Sequence, residues 1–464
     1  MYNPLRSLAL LCLAAGGLVE GIDVDFTSAS SIKSATSTIA YDMLSSWYYG
    51  NQTGNNPGNL PPPYYWWEAG AMFMHLVDYW YYTGDASNNA AVIQAISWQA
   101  GTNGEFQPSN QTSDEGNDDQ AFWAFSALAA AECNFPDPPA GYPSYIAMGQ
   151  AVFNVQTPRW DPSTCGGGLR WQFNPLNPGY TYKNIAANGG YFQVAARLAR
   201  YTGNETYVQY ADKMWDWIAA SPLYDASNPD LIQINDGAED TVNCTNPNPA
   251  QYSYNYGILI AGLAYLYNHV SRLPFHPFAV ADAKRKGIVN GLFHTFSEHN
   301  ILVEAGCEPY NNCNTNGLTF KSFTVRWLVV AAQLVPSLHA QIWPYITASA
   351  AGAAGQCDGW TNGQYCGYHW TTDVWDGTEG VGQQMSAMAV INAALFNVEA
   401  LAAPLTLSSG GKSKSDPGAG GTSSTTHTLA PITTADRAGA GIVTFLVLAF
   451  TLAGTYWLIA VETP

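Results

Sequence analysis

A chain of 464 residues, 47% hydrophobic and only 11% charged, is long enough to bury one large core or two ordinary ones. Its 35 acidic side chains outnumber 17 basic ones, a formal net charge of −18 that argues against nucleic acid or any other polyanion as a partner. The 16 Trp and 28 Tyr are too many to serve packing alone, and exposed aromatic faces are platforms for the apolar faces of sugar rings.

The chain opens with Arg6 and an apolar run from Leu8 to Leu18 that includes Ala14, Ala15, Gly16 and Gly17. This is the composition of a secretory signal peptide over residues 1–22, too short to span a bilayer, with cleavage expected between Gly17 and Asp23. Four acceptor sequons, at Asn51, Asn110, Asn204 and Asn243, agree with secretion. In an oxidising compartment Cys307/Cys313 and Cys357/Cys366 are spaced as local disulfides. Of Cys133, Cys165 and Cys244 one is left over, and spacing does not say which. No Cys-x-x-Cys pair occurs and the eight His are scattered, so neither a metal nor a cofactor is expected.

From about Thr27 to Ala402, helical patterns alternate with loops and no run of strand alternation stands out. Tyr81-Tyr82-Thr83-Gly84-Asp85 and Tyr201-Thr202-Gly203-Asn204-Glu205 each close an apolar helix with a C-cap glycine and introduce an amphipathic one. Extending that repeat gives an apolar, small-residue set at Trp66–Tyr82, Asp119–Glu132, Asn184–Tyr201, Tyr254–Tyr267, Phe320–Val335 and Gly380–Phe396. An amphipathic set lies at Ser30–Trp47, Ala90–Trp98, Tyr145–Asn154, Tyr207–Trp217, Ala281–Phe296 and Ser337–Ala350. Helices apolar on all sides belong inside and amphipathic ones outside. The expectation is therefore an all-α (α/α)6 barrel, six inner and six outer helices, over residues 23–404. Residues 405–437 are Gly/Ser/Thr-rich and read as linker, with an anchor-attachment region at Gly418 to Ser424. The apolar run within 438–464 completes a GPI signal.

In such a toroid the inner helices all start at one end. Their starts carry Trp66-Trp67-Glu68, Asp118-Asp119, Tyr182-Lys183-Asn184 with Asn188, Tyr252, Tyr254 and Asn255, Lys321 with Arg326 and Trp327, and Asp373, Trp375, Asp376 and Glu379. More polar and aromatic groups converge there than helix caps need, which predicts a cleft. Within it, Asp118 and Asp119 supply the two carboxyl groups that glycoside cleavage uses. Adjacency favours the short separation of a retaining mechanism. A carboxylate at a helix N-terminus is held ionised, which suits a nucleophile, and its repelled neighbour keeps a proton, which suits an acid. The same two residues would also serve simply as an N-cap and a first-turn acid. Asp114 and Glu115 read as solvated loop residues. Asp236, in an Asp-Gly turn, reads as a substrate-binding acid at the cleft rim.

Asn117 to Trp123, Trp66-Trp67-Glu68-Ala69-Gly70, Cys165 to Gln172 and Ala195 to Gly203 resemble glycoside hydrolase family 76, in particular its fungal cell-wall mannan endo-1,6-α-mannosidase-like members. The resemblance covers about Asp25 to Ala400. It implies an (α/α)6 barrel acting on α-1,6-linked mannose with retention, Asp118 as nucleophile and Asp119 as acid/base. For the fungal subgroup it also implies transglycosylation, the mannose core of a GPI glycan being passed to wall β-glucan, from a protein GPI-anchored at the plasma membrane. Trp67, Arg170, Lys183, Asn184, Asn188, Asp236, Tyr254, Asn255 and Asp376 are the corresponding substrate-binding candidates. Family members often carry a cysteine where this chain has Gly190, and Cys133 is an addition. A plain endo-α-1,6-mannanase and a weakly active wall-glycan-binding protein are the competing readings.

Overall fold

The structure, a computed structural model, describes residues 21–101, 103–111, 115–271 and 282–421, with parts of 442–453. Twelve α-helices of the described barrel alternate between two rings. The inner ring is α2 (Trp66–Thr83), α4 (Asn117–Glu132), α6 (Ile185–Thr202), α8 (Ser253–Val270), α10 (Phe320–Leu334) and α12 (Val381–Ala393). The outer ring is α1 (Ala29–Trp47), α3 (Asn89–Gln99), α5 (Tyr145–Gln156), α7 (Glu205–Ala220), α9 (Asp282–Thr295) and α11 (Pro336–Ala354). Each inner helix packs on the next, and α12 returns to α2 to close the toroid.

Burial follows sequence pattern. In α4 every residue except Asp118 and Asp119 is buried. In α7 burial is confined to one stripe, Tyr207, Val208, Ala211, Met214, Trp215, Trp217 and Ile218. Gly84 and Gly203 end α2 and α6 in the left-handed conformation, at φ 79° and 72°, as the repeat requires. The core is dense with rings: Trp123 of α4 lies against Trp66, Phe73 and Phe106, with centroids 5.6–6.0 Å away. Ion pairs cross the ring interior. Arg197 of α6 grips Glu132 at 2.8–2.9 Å, and Tyr265 donates to the same carboxylate. Arg326, grouped from sequence with the start of its helix, lies deeper and pairs with Asp78 at 2.6 Å. Such pairs hold register between helices more than they add net stability.

Two features depart from the sequence expectation. Short strands occur: β1 (Tyr182–Asn184), β2 (Tyr224–Asp225), β3 (Gln233–Ile234), β4 (Gly237–Glu239), β5 (Pro247–Asn248), β6 (Ser297–Glu298) and β7 (Ile301–Leu302). Two or three residues are too few to show alternation, so they left no sequence signal. The antiparallel sheet β1-β4-β5 stands at the end where the inner helices begin. Secondly, the chain after 404 is not a free linker. Residues 405–421 dock on α5, so the ordered barrel unit continues beyond the expected boundary, and a separate unit begins at Thr425. The leader up to residue 20 and most of the 438–464 tail lie outside the described residues.

All three described disulfides are intramolecular: Cys307–Cys313, Cys357–Cys366 and Cys165–Cys244, which leaves Cys133 as the unpaired thiol. Asn51, Asn110 and Asn243 are exposed, and Asn204 caps α7 at the surface.

Candidate active site

Helix α4 starts at an N-cap glycine, Gly116, so that Asn117, Asp118 and Asp119 occupy its first three positions. An acid at the third position can reach back to the N-cap amide. Here the Gly116 N–H donates to Asp119 Oδ2 at 2.6 Å, and the Asp119 N–H donates to Asp118 Oδ1 at 3.1 Å. A Cβ on Gly116 would sit 2.5 Å from Asp118 Oδ1, so a larger residue there would push the Asp118 carboxyl out of place. The flanking residues are immobilised. Asn117 donates to the Arg170 carbonyl at 2.8 Å and accepts from Arg159 at 2.6 Å. Gln120 donates to the Glu105 carbonyl at 2.5 Å and accepts from Arg159 and Gln156. Two carboxyl groups, each held by a backbone amide, thus stand between two clamped side-chain amides.

Burial raises the proton affinity of both acids. Asp119 is pushed up to about 6, its desolvation partly offset by the Gly116 N–H. Asp118 is raised well above its ordinary value, by burial first and then by the charge of Asp119, against hydrogen bonds from the Asp119 N–H and Asn184 that lower it. The pair is thus poised to share a proton, and the capping amide serves the third position of the helix, Asp119, and not the second. Glu115 also differs from expectation. It is buried beside Arg159, and neither carboxyl oxygen has a hydrogen-bond partner among the described residues. Asp114 lies outside the described residues.

The cleft over this pair holds about 180 Å³ of water-accessible space, enough for roughly six waters. Trp67, Phe122, Tyr254 and Phe320 give it an aromatic wall, with Trp67–Phe122 and Tyr254–Phe320 centroids 4.7 and 4.5 Å apart. The β1-β4-β5 side gives a polar wall. Alternation along β1 turns Tyr182 and Asn184 into the cleft and Lys183 away from it. Tyr182 donates to Asp236 Oδ2 at 2.8 Å and Asn255 to Asp236 Oδ1 at 3.3 Å. Burial nevertheless lifts the Asp236 pKa above its ordinary value. Asp-Gly is not a turn here, since Gly237 begins β4, where a Cβ would strike the Tyr182 ring at 2.5 Å. A second cavity of about 280 Å³, lined by Tyr64, Tyr65, Trp66 and Glu115, shares Trp67 and Asp119 with the first but not Asp118.

The sequence profile of Glycosyl hydrolase family 76 matches residues 31–407. The chain belongs to that family. It is 42% identical over 451 residues to the mannan endo-1,6-alpha-mannosidase DCW1 of Saccharomyces cerevisiae, covering 96% of this chain and 97% of the relative. It is 40% identical over 458 residues to the mannan endo-1,6-alpha-mannosidase DFG5 of the same yeast, covering 98% of both. The crystal structure of Dfg5 from Chaetomium thermophilum in complex with glucosamine superposes with a TM-score of 0.80 at 38% identity, over 87% of this chain and 98% of that one. An α-1,6-mannanase of Salegentibacter, at 16% identity and a TM-score of 0.60 over 79% of this chain and 99% of that one, shares the fold.

In this family 76 glycoside hydrolase, six of the eleven catalytic and binding candidates from the sequence meet at one cleft: Asp118, Asp119, Trp67, Asn184, Asp236 and Tyr254. The other five stand behind it. Arg170 bridges Asp161 and Asp240. Lys183 is fully buried, donating to the carbonyls of Thr164 and Gly167 and paired with Asp161. Asn188 braces the backbone of Leu169, Asn255 backs Asp236, and Asp376 caps the amides of Tyr368, His369 and Thr378. Lys321, too, is buried, on Glu308 and the Tyr368 carbonyl. A charge at an inner-helix start therefore often holds a loop rather than a ligand. Trp171, Tyr182, Asn316 and Phe320 line the cleft without having been singled out as binding residues. Tyr182 was two residues from Asn184, and a strand reading of that tripeptide would have found it.

Proposed function

We propose that the chain is a retaining glycosidase that opens α-1,6-linked mannose chains and passes the glycosyl unit to a sugar acceptor, with the mannose core of a GPI glycan as donor and wall β-glucan as acceptor. The observation that carries this reading is the Asp118–Asp119 pair at the start of α4, facing a ring-lined cleft beside a second lobe that shares Trp67 and Asp119 with it. Asp118 attacks the anomeric carbon and forms a glycosyl ester as the C–O bond to the leaving sugar breaks. Asp119 gives its proton to that leaving oxygen, then takes a proton from the acceptor hydroxyl as the acceptor replaces the ester. These roles need the proton on Asp119. Substrate favours that placement: positive charge developing at the anomeric carbon favours the Asp118 anion, and the leaving oxygen favours a donor at Asp119. By microscopic reversibility the acceptor enters on the acid/base side, which is where the second lobe lies. The names of the relatives and the α-1,6 linkage they specify support the donor class.

The leader and the hydrophobic tail support delivery to the outer face of the plasma membrane and the cell wall, with tethering through a GPI anchor. The test offers an α-1,6-mannooligosaccharide with and without a β-glucan acceptor. Acceptor-linked product supports transfer, free sugar alone reduces the reading to an endo-mannanase, and full activity of Asp118→Asn would refute the catalytic assignment.

A further inference from the structure

The segment after residue 404 is threaded up the side of the barrel, not left hanging from it. It starts at the end away from the cleft, where the Leu405 N–H donates to the carbonyl of Glu132, the last residue of α4. Asn134 donates to the Gly410 carbonyl at 3.0 Å and accepts from the Lys412 N–H at 2.8 Å. Ser413, buried, reaches the Ile146 N–H in the first turn of α5 at 2.9 Å, while its own N–H meets the Tyr201 hydroxyl at 3.0 Å. One turn on, Gln150 accepts from the Asp416 N–H at 2.6 Å. One turn further, Asn154 donates to the carbonyls of Pro417 and Ala419 at 2.9 and 2.8 Å. Gly420 lies on the Ala151 backbone at φ +95°, and Gly421 lies against Asn103. Asn103 belongs to the loop that leads into α4, whose start carries Asp118 and Asp119.

The path therefore runs parallel to α5 from the far end of the toroid to the cleft end, a climb of about 18 Å for a 12-residue helix. It is built for this course. Four barrel side chains, Asn134, Tyr201, Gln150 and Asn154, bond its backbone. Gly411 leaves room for the Tyr201 hydroxyl, which a Cβ would meet at 2.7 Å, and a Cβ at Gly420 would lie 2.9 Å from the Ala151 carbonyl.

We propose that residues 405–421 are a fixed spacer that brings the C-terminal tether out at the cleft end of the barrel, so that the enzyme works on donor glycans standing on the same surface that holds it. This rests on the proposed reading of the tail as a membrane tether and of α-1,6-mannose as donor. The strap selects among donors by place rather than by sugar, since a cleft held within linker length of the surface meets surface-bound glycans at high effective concentration.

The test uses the full chain in membranes of expressing insect cells and two probes, free α-1,6-mannotriose and the same trisaccharide coupled to a phospholipid in those membranes. One variant, Gln150→Ala with Asn154→Ala, unseats the upper strap from the barrel side, and faster trypsin cleavage after Lys412 or Lys414 reports the release. A second deletes 405–416, which keeps the Gly418 to Ser424 region, so that the tether leaves from the far end. Both are expected to keep the wild-type rate on free trisaccharide and to lose at least about tenfold on the lipid-linked one. Unchanged rates on both probes overturn the inference. Equal loss on both also overturns it, since the strap would then be serving the barrel itself. A wild type inactive on both sinks the underlying functional reading and the inference with it.

Discussion

Replacing Asp119 by Asn is expected to stabilise the barrel at neutral pH while removing its activity. The wild-type carboxyl has a folded pKa of about 6 against an ordinary value of 3.8. A raised folded pKa means that the native state binds more protons than the unfolded chain between those two values. The wild type then gains stability as pH falls from 6 to 3.8 and carries the full penalty of the buried anion above 6. The rise from 3.8 to about 6 corresponds to about 3 kcal/mol. Asn keeps the acceptor oxygen for the Gly116 amide and has no charge to desolvate. In a chain of roughly 400 ordered residues, 3 kcal/mol is ~3 °C in Tm. Losing the Asp119 charge also relieves Asp118 and Glu115, which it raises, and this acts in the same direction. Thermal melts of wild type and variant from pH 4 to pH 8 check the prediction. The difference should be largest above pH 6 and vanish near pH 4. A variant less stable at pH 7, or a difference that does not change with pH, would show that Asp119 is not a strained buried acid.

Tyr182→Phe removes the hydroxyl that holds Asp236 and should raise KM about tenfold, with the Asp236 pKa moving further up, read from steady-state rates across pH. Lys183→Met should leave kcat and KM per folded molecule unchanged but cost about 1–3 kcal/mol in denaturant melts, because three loop carbonyls lose a buried donor while Asp161 keeps Arg170. A raised KM with intact stability would return Lys183 to the cleft. Removing Cys165–Cys244, which closes a loop across a separation of 79 residues, should cost about 4.5 kcal/mol in the chain-entropy limit, measured by melts of the double Ala variant.

The helices were legible because each inner one is apolar around its whole circumference and each outer one along a single stripe, a property of local sequence. The Asp118–Asp119 pair was legible for a related reason: two acids open a helix in which every other residue is buried, and the polar and aromatic groups at the other helix starts set them apart from a plain cap. The sequence could not show which polar residues at the other helix starts face that cleft. Lys183 and Tyr182 are neighbours with opposite fates, set by the pleat of a three-residue strand that exists only because β4 pairs with it. Glu115 read as solvated because its neighbours are polar, and only the tertiary fold encloses it beside Arg159 and Asp119. Which of the two acids receives the capping amide of Gly116 was decided by where α4 begins. The 405–421 segment had the composition of a linker, and composition records propensity alone. Docking came from Asn134, Gln150, Asn154 and Tyr201, distant in sequence, whose amides and hydroxyl satisfy its backbone. Local pattern thus determined the ring of helices and its catalytic pair, while contacts between distant segments decided which side chains face the cleft and where the chain leaves the barrel.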